Sequence, residues 1–140
     1  MLGEVSELKT AFRRAMSRFA TGVTIVTTRH TDGRYYGLAA NAFSSVSLEP
    51  PLVLVCVGRD STSLPALQAS QVFAVNILGD DQRHISDLFA TKSPDKFSAT
   101  SWLIGANGCP ILPQALAAVE CRVVKALDAG DHVVFFGSVH

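Results

Sequence analysis

The apolar positions of the chain change period near Gly22. Upstream, Phe12, Ala15, Met16, Phe19 and Ala20 recur at helical spacing, with Arg13, Arg14 and Arg18 on the remaining positions. Ser6 as N-cap and Thr21-Gly22 as stop delimit one amphipathic helix. Its Met and Phe stripe is expected to be core, packed over the edge or mouth of a sheet. Downstream the pattern is that of strands. "VTIVTT" from Val23 carries β-branched residues on both faces, and "HTDGR", with Asp32-Gly33 at its tip, turns the chain into "YYGLAA". "LVLVCV" from Leu52, "VFAVNIL" from Val72, "AVECRVVKAL" and "HVVFFGSV" supply further strands, the first expected to be buried on both faces. Helical pieces are expected at "SLPALQAS" and at "DDQRHISDLFA", the latter with Ile85, Leu88 and Phe89 on one side. Thr91 to Pro113, which contains Pro94, Gly105, Gly108, Pro110 and Pro113, shows no period. Strands joined by short turns, with few helices, predict a mainly β or β-rich α+β domain, folded as one unit over residues 1–140.

One stretch interrupts this pattern. "NAFSSVSLEPP", Asn41 to Pro51, places three serines between two apolar runs and ends in two prolines. It is read as a loop, either solvated or built as a surface for something other than protein. The chain ends at His140, just past an apolar strand. A barrel strand lacking its neighbour would expose a sheet edge, so either a second subunit covers it or the native product continues through a further C-terminal segment.

Composition narrows the function classes. Lysine plus arginine equals aspartate plus glutamate at 12 each, so no basic surplus points to nucleic acid. No apolar run approaches the roughly 20 residues that span a bilayer, and the charged N-terminus lacks a signal core. Three widely spaced cysteines without a C-x-x-C read as reduced thiols of a cytosolic protein. The four histidines fall in different elements, so no metal site is expected. There is no G-x-S-x-G, Walker loop or H-E-x-x-H.

What remains is hydroxylic. Ser44, Ser45 and Ser47 offer donors and acceptors, and Ala39, Ala40 and Ala42 leave a flat surface for a planar group. "GRDSTS", Gly58 to Ser63, adds Arg59, three hydroxyls and a helix start near Ser63, which together suit a phosphate. Each group alone reads sooner as a capped turn. Together they would flank one buried strand, an arrangement that suits a cofactor with its phosphate at one end. "AGDH", Ala129 to His132, is either the turn of a hairpin or an imidazole set over a mouth. Cys56 lies in an apolar run and is expected to pack as a small hydrophobe.

In "FRRAMSRFATGVTIVTT", "GLAANAFSSVSLEPPLVLVCV", "FAVNIL", "KFS" and "AGDHVVFFGSV" the chain resembles the flavin reductase-like, FMN-binding split-barrel family, which includes small reductase components of two-component flavin-dependent monooxygenases. The resemblance runs in order from about Phe12 to the last residue. It implies a six-stranded antiparallel split β-barrel with flanking helices, a homodimer, and FMN or FAD bound near the dimer interface. It also implies NADH or NADPH as electron donor and an oxygenase component as acceptor of reduced flavin. On matching positions, Asn41, Ala42 and Phe43 would face the isoalloxazine edge, and Ser45, Val46 and Ser47 would follow the ribityl chain and phosphate. Cys56 and Val57 would run beside the ring, Ser61 and Ser63 would help hold the phosphate end, and Gly130, Asp131 and His132 would meet the nicotinamide. His132 is the side chain expected to orient it. Ala39 stands where relatives often carry threonine, which removes one hydroxyl. Two other readings remain, a non-catalytic flavin-binding or electron-carrier protein and a split-barrel oxidase of a phosphorylated small molecule. The second would want a basic cluster, and Arg59, Lys92 and Lys96 are a thin supply.

Overall fold

The computed structural model describes residues 2–140. Its elements are α1 (Leu2–Met16), β1 (Thr24–Arg29), β2 (Tyr35–Ala40), β3 (Phe43–Leu48), β4 (Pro51–Gly58), α2 (Leu64–Ser70), β5 (Val72–Ile77) and α3 (Arg83–Phe89). A 3-10 turn at Lys96–Ala99 leads to the short pair β6 (Leu103–Ile104) and β7 (Pro110–Ile111), then to β8 (Ala117–Ala129) and β9 (His132–Val139). Seven strands form one antiparallel sheet in the order β2-β1-β5-β8-β9-β4-β3.

The expected sheet has six strands; the observed one has seven. The added strand is β3, formed by the serine-rich stretch read as a loop. It pairs with β4 from Phe43↔Val55 to Leu48↔Pro51. Serine is a poor strand former, but β4 offers a complete hydrogen-bonding partner and tertiary context overrides propensity. The ladder does not close, since β2 and β3 end the order without pairing to each other. Side chains nevertheless meet across the curled sheet: Val26 of β1, Ala40 of β2, Val55 of β4, Phe73 of β5, Cys121 of β8 and Phe135 of β9 belong to one buried cluster. Leu64 and Leu67 of α2 join it. A smaller cluster on the other face gathers Ile25, Leu78, Ile85, Phe89 and Leu112.

Three further expectations change. In "LVLVCV", Val53, Val55 and Val57 are buried, but Leu52, Leu54 and Cys56 are only half-buried, because no second layer of this chain covers their face. β9 lies between β8 and β4, so the last strand is interior and the sheet edges are β2 and β3. α1 begins at Leu2, ahead of Ser6, and Phe19 falls beyond its end. Its stripe is not core: Val5, Leu8, Phe12, Met16 and Phe19 are all more than half exposed. Among the described residues, no helix is long and apolar enough to cross a membrane.

Candidate functional site

β4 organises the candidate residues. Val55 faces Phe43 across the β3 ladder, and the Cys56 amide donates to the Ala42 carbonyl at 3.0 Å. On its other side β4 pairs with β9, and its last residue, Gly58, stands opposite His132. Asn41, Ala42, Phe43, Cys56, Val57, Gly58 and His132 therefore come together around the last three residues of one strand. A Cβ on Gly58 would sit 3.8 Å from His132 Nε2, so the imidazole lies over that strand end.

The serines of β3 follow an irregular path. Ser45 pairs with Val53 and Ser47 with Leu52, leaving Val46 as an extra residue in a bulge. Such a bulge breaks the in-and-out alternation and re-aims side chains beside binding sites. Ser44 spends its hydroxyl on the Ser45 carbonyl at 2.8 Å, whereas the Ser45 and Ser47 hydroxyls make no hydrogen bond among the described residues. β3 is a sheet edge, so its outer backbone groups are also available.

Beyond Gly58 the chain turns into α2. Ser61 Oγ accepts the Ser63 amide at 3.2 Å. Ser63 is buried and, with Thr62, lines a cavity of about 530 Å³ whose other walls include Tyr35, Gly37, Lys96 and Phe97. Leu52, the ladder partner of Ser47, lies six residues before Gly58, or roughly 20 Å along the strand. The structure thus separates Ser45 and Ser47 from Ser61 and Ser63, and within one chain a single phosphate cannot touch both pairs.

The β8–β9 connection is a two-residue hairpin turn, Gly130-Asp131, with Ala129 paired to His132. Gly130 has φ +60°, the left-handed conformation that the first central residue of a type II′ turn requires. Asp131 Oδ1 lies 2.8 Å from His132 Nδ1. That hydrogen bond, with the charges of His132 and Lys9 of α1, holds the exposed Asp131 carboxyl below its usual range. It also leaves Nε2 as the ring nitrogen free to meet a ligand.

For two groups that the sequence does bring up, Arg59 and Lys96, sequence reasoning missed the contacts they make. Arg59 is spent on the β8–β9 turn: its Nη2 lies 2.7 Å from Asp128 Oδ1, its Nε donates to the Gly130 carbonyl at 3.2 Å, and its amide donates to the Asp131 carbonyl at 2.9 Å. No periodicity marks such a contact in advance. Lys96, in "KFS", is 7% exposed, and its Nζ donates to the Gly37 carbonyl at 2.8 Å and the Phe89 carbonyl at 3.2 Å. Desolvation pushes its pKa down. The cavity wall it belongs to comes from the patternless 92–98 segment. Partial burial raises the thiol pKa of the half-buried Cys56. Among the described residues no three potential metal ligands cluster.

A flavin reductase-like domain matches residues 16–140, and the chain belongs to that family. It is 43% identical to the stachydrine N-demethylase reductase subunit Stc3 of Rhizobium meliloti (strain 1021), over 92% of this chain and 56% of that protein. It is also 43% identical to the flavin-dependent monooxygenase reductase subunit HsaB of Mycobacterium tuberculosis (strain ATCC 25618 / H37Rv), over 91% of this chain and 68% of that protein. Among solved structures, nitrilotriacetate monooxygenase component B from Mycobacterium thermoresistibile superposes with a TM-score of 0.90 at 44% identity, covering 98% of this chain and 75% of the other. The NADH:FAD oxidoreductase SgcE6 of Streptomyces globisporus C-1027, solved with NAD and FAD fragments, gives 0.88 at 39% identity, covering 94% and 79%. The chain spans about half the length of the two Rhizobium meliloti relatives it matches, 42% of one and 56% of the other.

Proposed function

We propose that this chain is an NAD(P)H:flavin oxidoreductase, which passes hydride from NADH or NADPH to FMN or FAD and supplies reduced flavin to a partner such as a monooxygenase. The observation that carries the reading is the meeting of two separate stretches at the end of β4. Ala42 hydrogen-bonds Cys56 on one side, and His132 faces Gly58 on the other. A reaction between two planar rings needs them stacked at near-contact distance, and this meeting supports a surface for each ring against the same strand end.

The residues present fit a flavin. Unspent hydroxyls of Ser45 and Ser47, a free sheet edge and the small side chain of Ala42 suit a polar chain running from a flat ring. Asn41, Ala42 and Phe43 would hold the ring edge, with Cys56 and Val57 beside it. Ser45, Val46 and Ser47 would hold the ribityl and phosphate end, and the backbone amides near Ser45 would face the part of the ring that gains negative charge. Ser61 and Ser63 border the other end of the site. Bound flavin supplies the hydride acceptor, so no side chain need form a bond or act as nucleophile. Gly130 and Asp131 would present the turn to the nicotinamide, and His132 Nε2 would orient it. The scarcity of acid–base machinery fits this assignment.

We also read the curled sheet as the family's split barrel, with β1, β2, β4, β5, β8 and β9 as its wall and β3 added at the edge. The shared core cluster supports this. The exposed stripe of α1, with Leu48 85% exposed on the edge strand, supports a homodimer in which a second copy covers these surfaces. Purified protein is expected to bind flavin and to consume NADH or NADPH only when flavin is present. Flavin binding without nicotinamide oxidation would favour an electron carrier instead.

A further inference from the structure

We propose that Arg59 is a positioning residue that fixes the Gly130-Asp131-His132 turn, and not a phosphate ligand. The proposal rests on the reductase reading for its functional meaning. Its structural part stands on the hydrogen bonds alone.

Arg59 is the first residue after β4, and its backbone continues the β4–β9 ladder one step past the Gly58↔His132 pair through its bond to the Asp131 carbonyl. Its side chain then folds along the turn. Nε–H reaches the Gly130 carbonyl and Nη2 reaches the Asp128 carboxylate. One residue thus grips positions 128, 130 and 131, and a planar guanidinium can do this because its donors are set in a fixed fork. The rest of the tip has little to hold it. Asp128, Ala129, Gly130, Asp131 and His132 are all exposed. Among the described residues, Arg59 is the only side chain from outside the hairpin that hydrogen-bonds to the tip or pairs with it. With Nε–H given to Gly130 and its charge met by Asp128, the guanidinium is held along the turn and away from a phosphate role. It serves better as the strut that keeps His132 over the strand end where the two rings would meet.

Ordering the turn in advance lowers the entropy lost when nicotinamide binds, so the effect should appear in KM for nicotinamide more than in flavin affinity. The test uses Arg59→Ala, Arg59→Lys and Asp128→Asn in the full chain. It reads KM for NADH, flavin affinity by fluorescence quenching, and amide hydrogen exchange over 128–132. Arg59→Ala should raise KM about three- to tenfold and speed exchange at the tip, with flavin affinity changed less than about twofold. Arg59→Lys keeps the charge opposite Asp128 but loses the bond to Gly130, and should fall between wild type and alanine. Asp128→Asn should give a smaller shift in the same direction. Weakened flavin binding with KM unchanged would make Arg59 a phosphate ligand and overturn the proposal, as would unchanged KM with unchanged exchange. If the wild-type protein oxidises no nicotinamide, the reductase reading fails and the nicotinamide role with it. Exchange at the tip then still decides whether Arg59 holds the turn.

Discussion

Ser45 and Ser47 on one side, and Ser61 and Ser63 on the other, are the residues whose roles the geometry divides most sharply. They lie toward opposite ends of β4, so only one pair can hold a given phosphate. Ser45→Ala with Ser47→Ala is expected to weaken FMN binding by about 1.5–3 kcal/mol for each charge-assisted hydrogen bond lost. Ser61→Ala with Ser63→Ala should weaken it less, as read by flavin fluorescence titration. The reverse order would move the phosphate to the α2 end. The buried cysteines give a pH prediction. Burial pushes the thiols of Cys109 and Cys121 from an ordinary 9.0 up to about 11. A raised native pKa means the unfolded chain ionises first. The stabilisation is full below pH 9 and is lost as pH rises through 9 toward 11. Thermal melting should therefore fall between pH 9 and 11, and replacing both cysteines by alanine should flatten that fall.

The elements show why some features could be read from sequence and others could not. β5 is recovered because Val72–Ile77 is apolar but for Asn76 and is bounded by turn signals, and the β1–β2 hairpin because Asp32-Gly33 supplies its tip, Gly33 taking φ +92°. β3 escaped because its serines hide the period, and only the partner strand β4 makes the stretch extended. α1 was found, but its stripe was assigned to core because periodicity reports that a face is apolar, not what covers it. The site residues were recognisable as motifs, while their grouping around the end of β4 depends on ladder register. Close packing between elements also lies beyond pattern. A Cβ at Gly137 in β9 would sit 2.5 Å from Phe73 Cζ and 2.9 Å from Cys121 Cβ. Gly137→Ala is expected to cost about 1–3 kcal/mol in chemical denaturation, the usual range for overpacking. A neutral substitution would mean that β5, β8 and β9 sit further apart.

For the whole molecule, the exposed apolar surface is the dominant feature. Phe12 and Met16 on α1, 62% and 53% exposed, and the outer edge of β3 lack cover from this chain. The protein is expected to sediment as a dimer in sedimentation velocity, and Phe12→Ser with Met16→Ser should shift it toward monomer. Because β3 also carries the candidate flavin-binding serines, the same double variant should weaken flavin binding along with the dimer. The most direct test of the central claim is NADH consumption by the purified chain, followed by loss of nicotinamide absorbance with and without added FMN or FAD. Turnover is expected to depend on flavin and to saturate in NADH or NADPH. Tight flavin binding with no nicotinamide oxidation at any flavin concentration would contradict it.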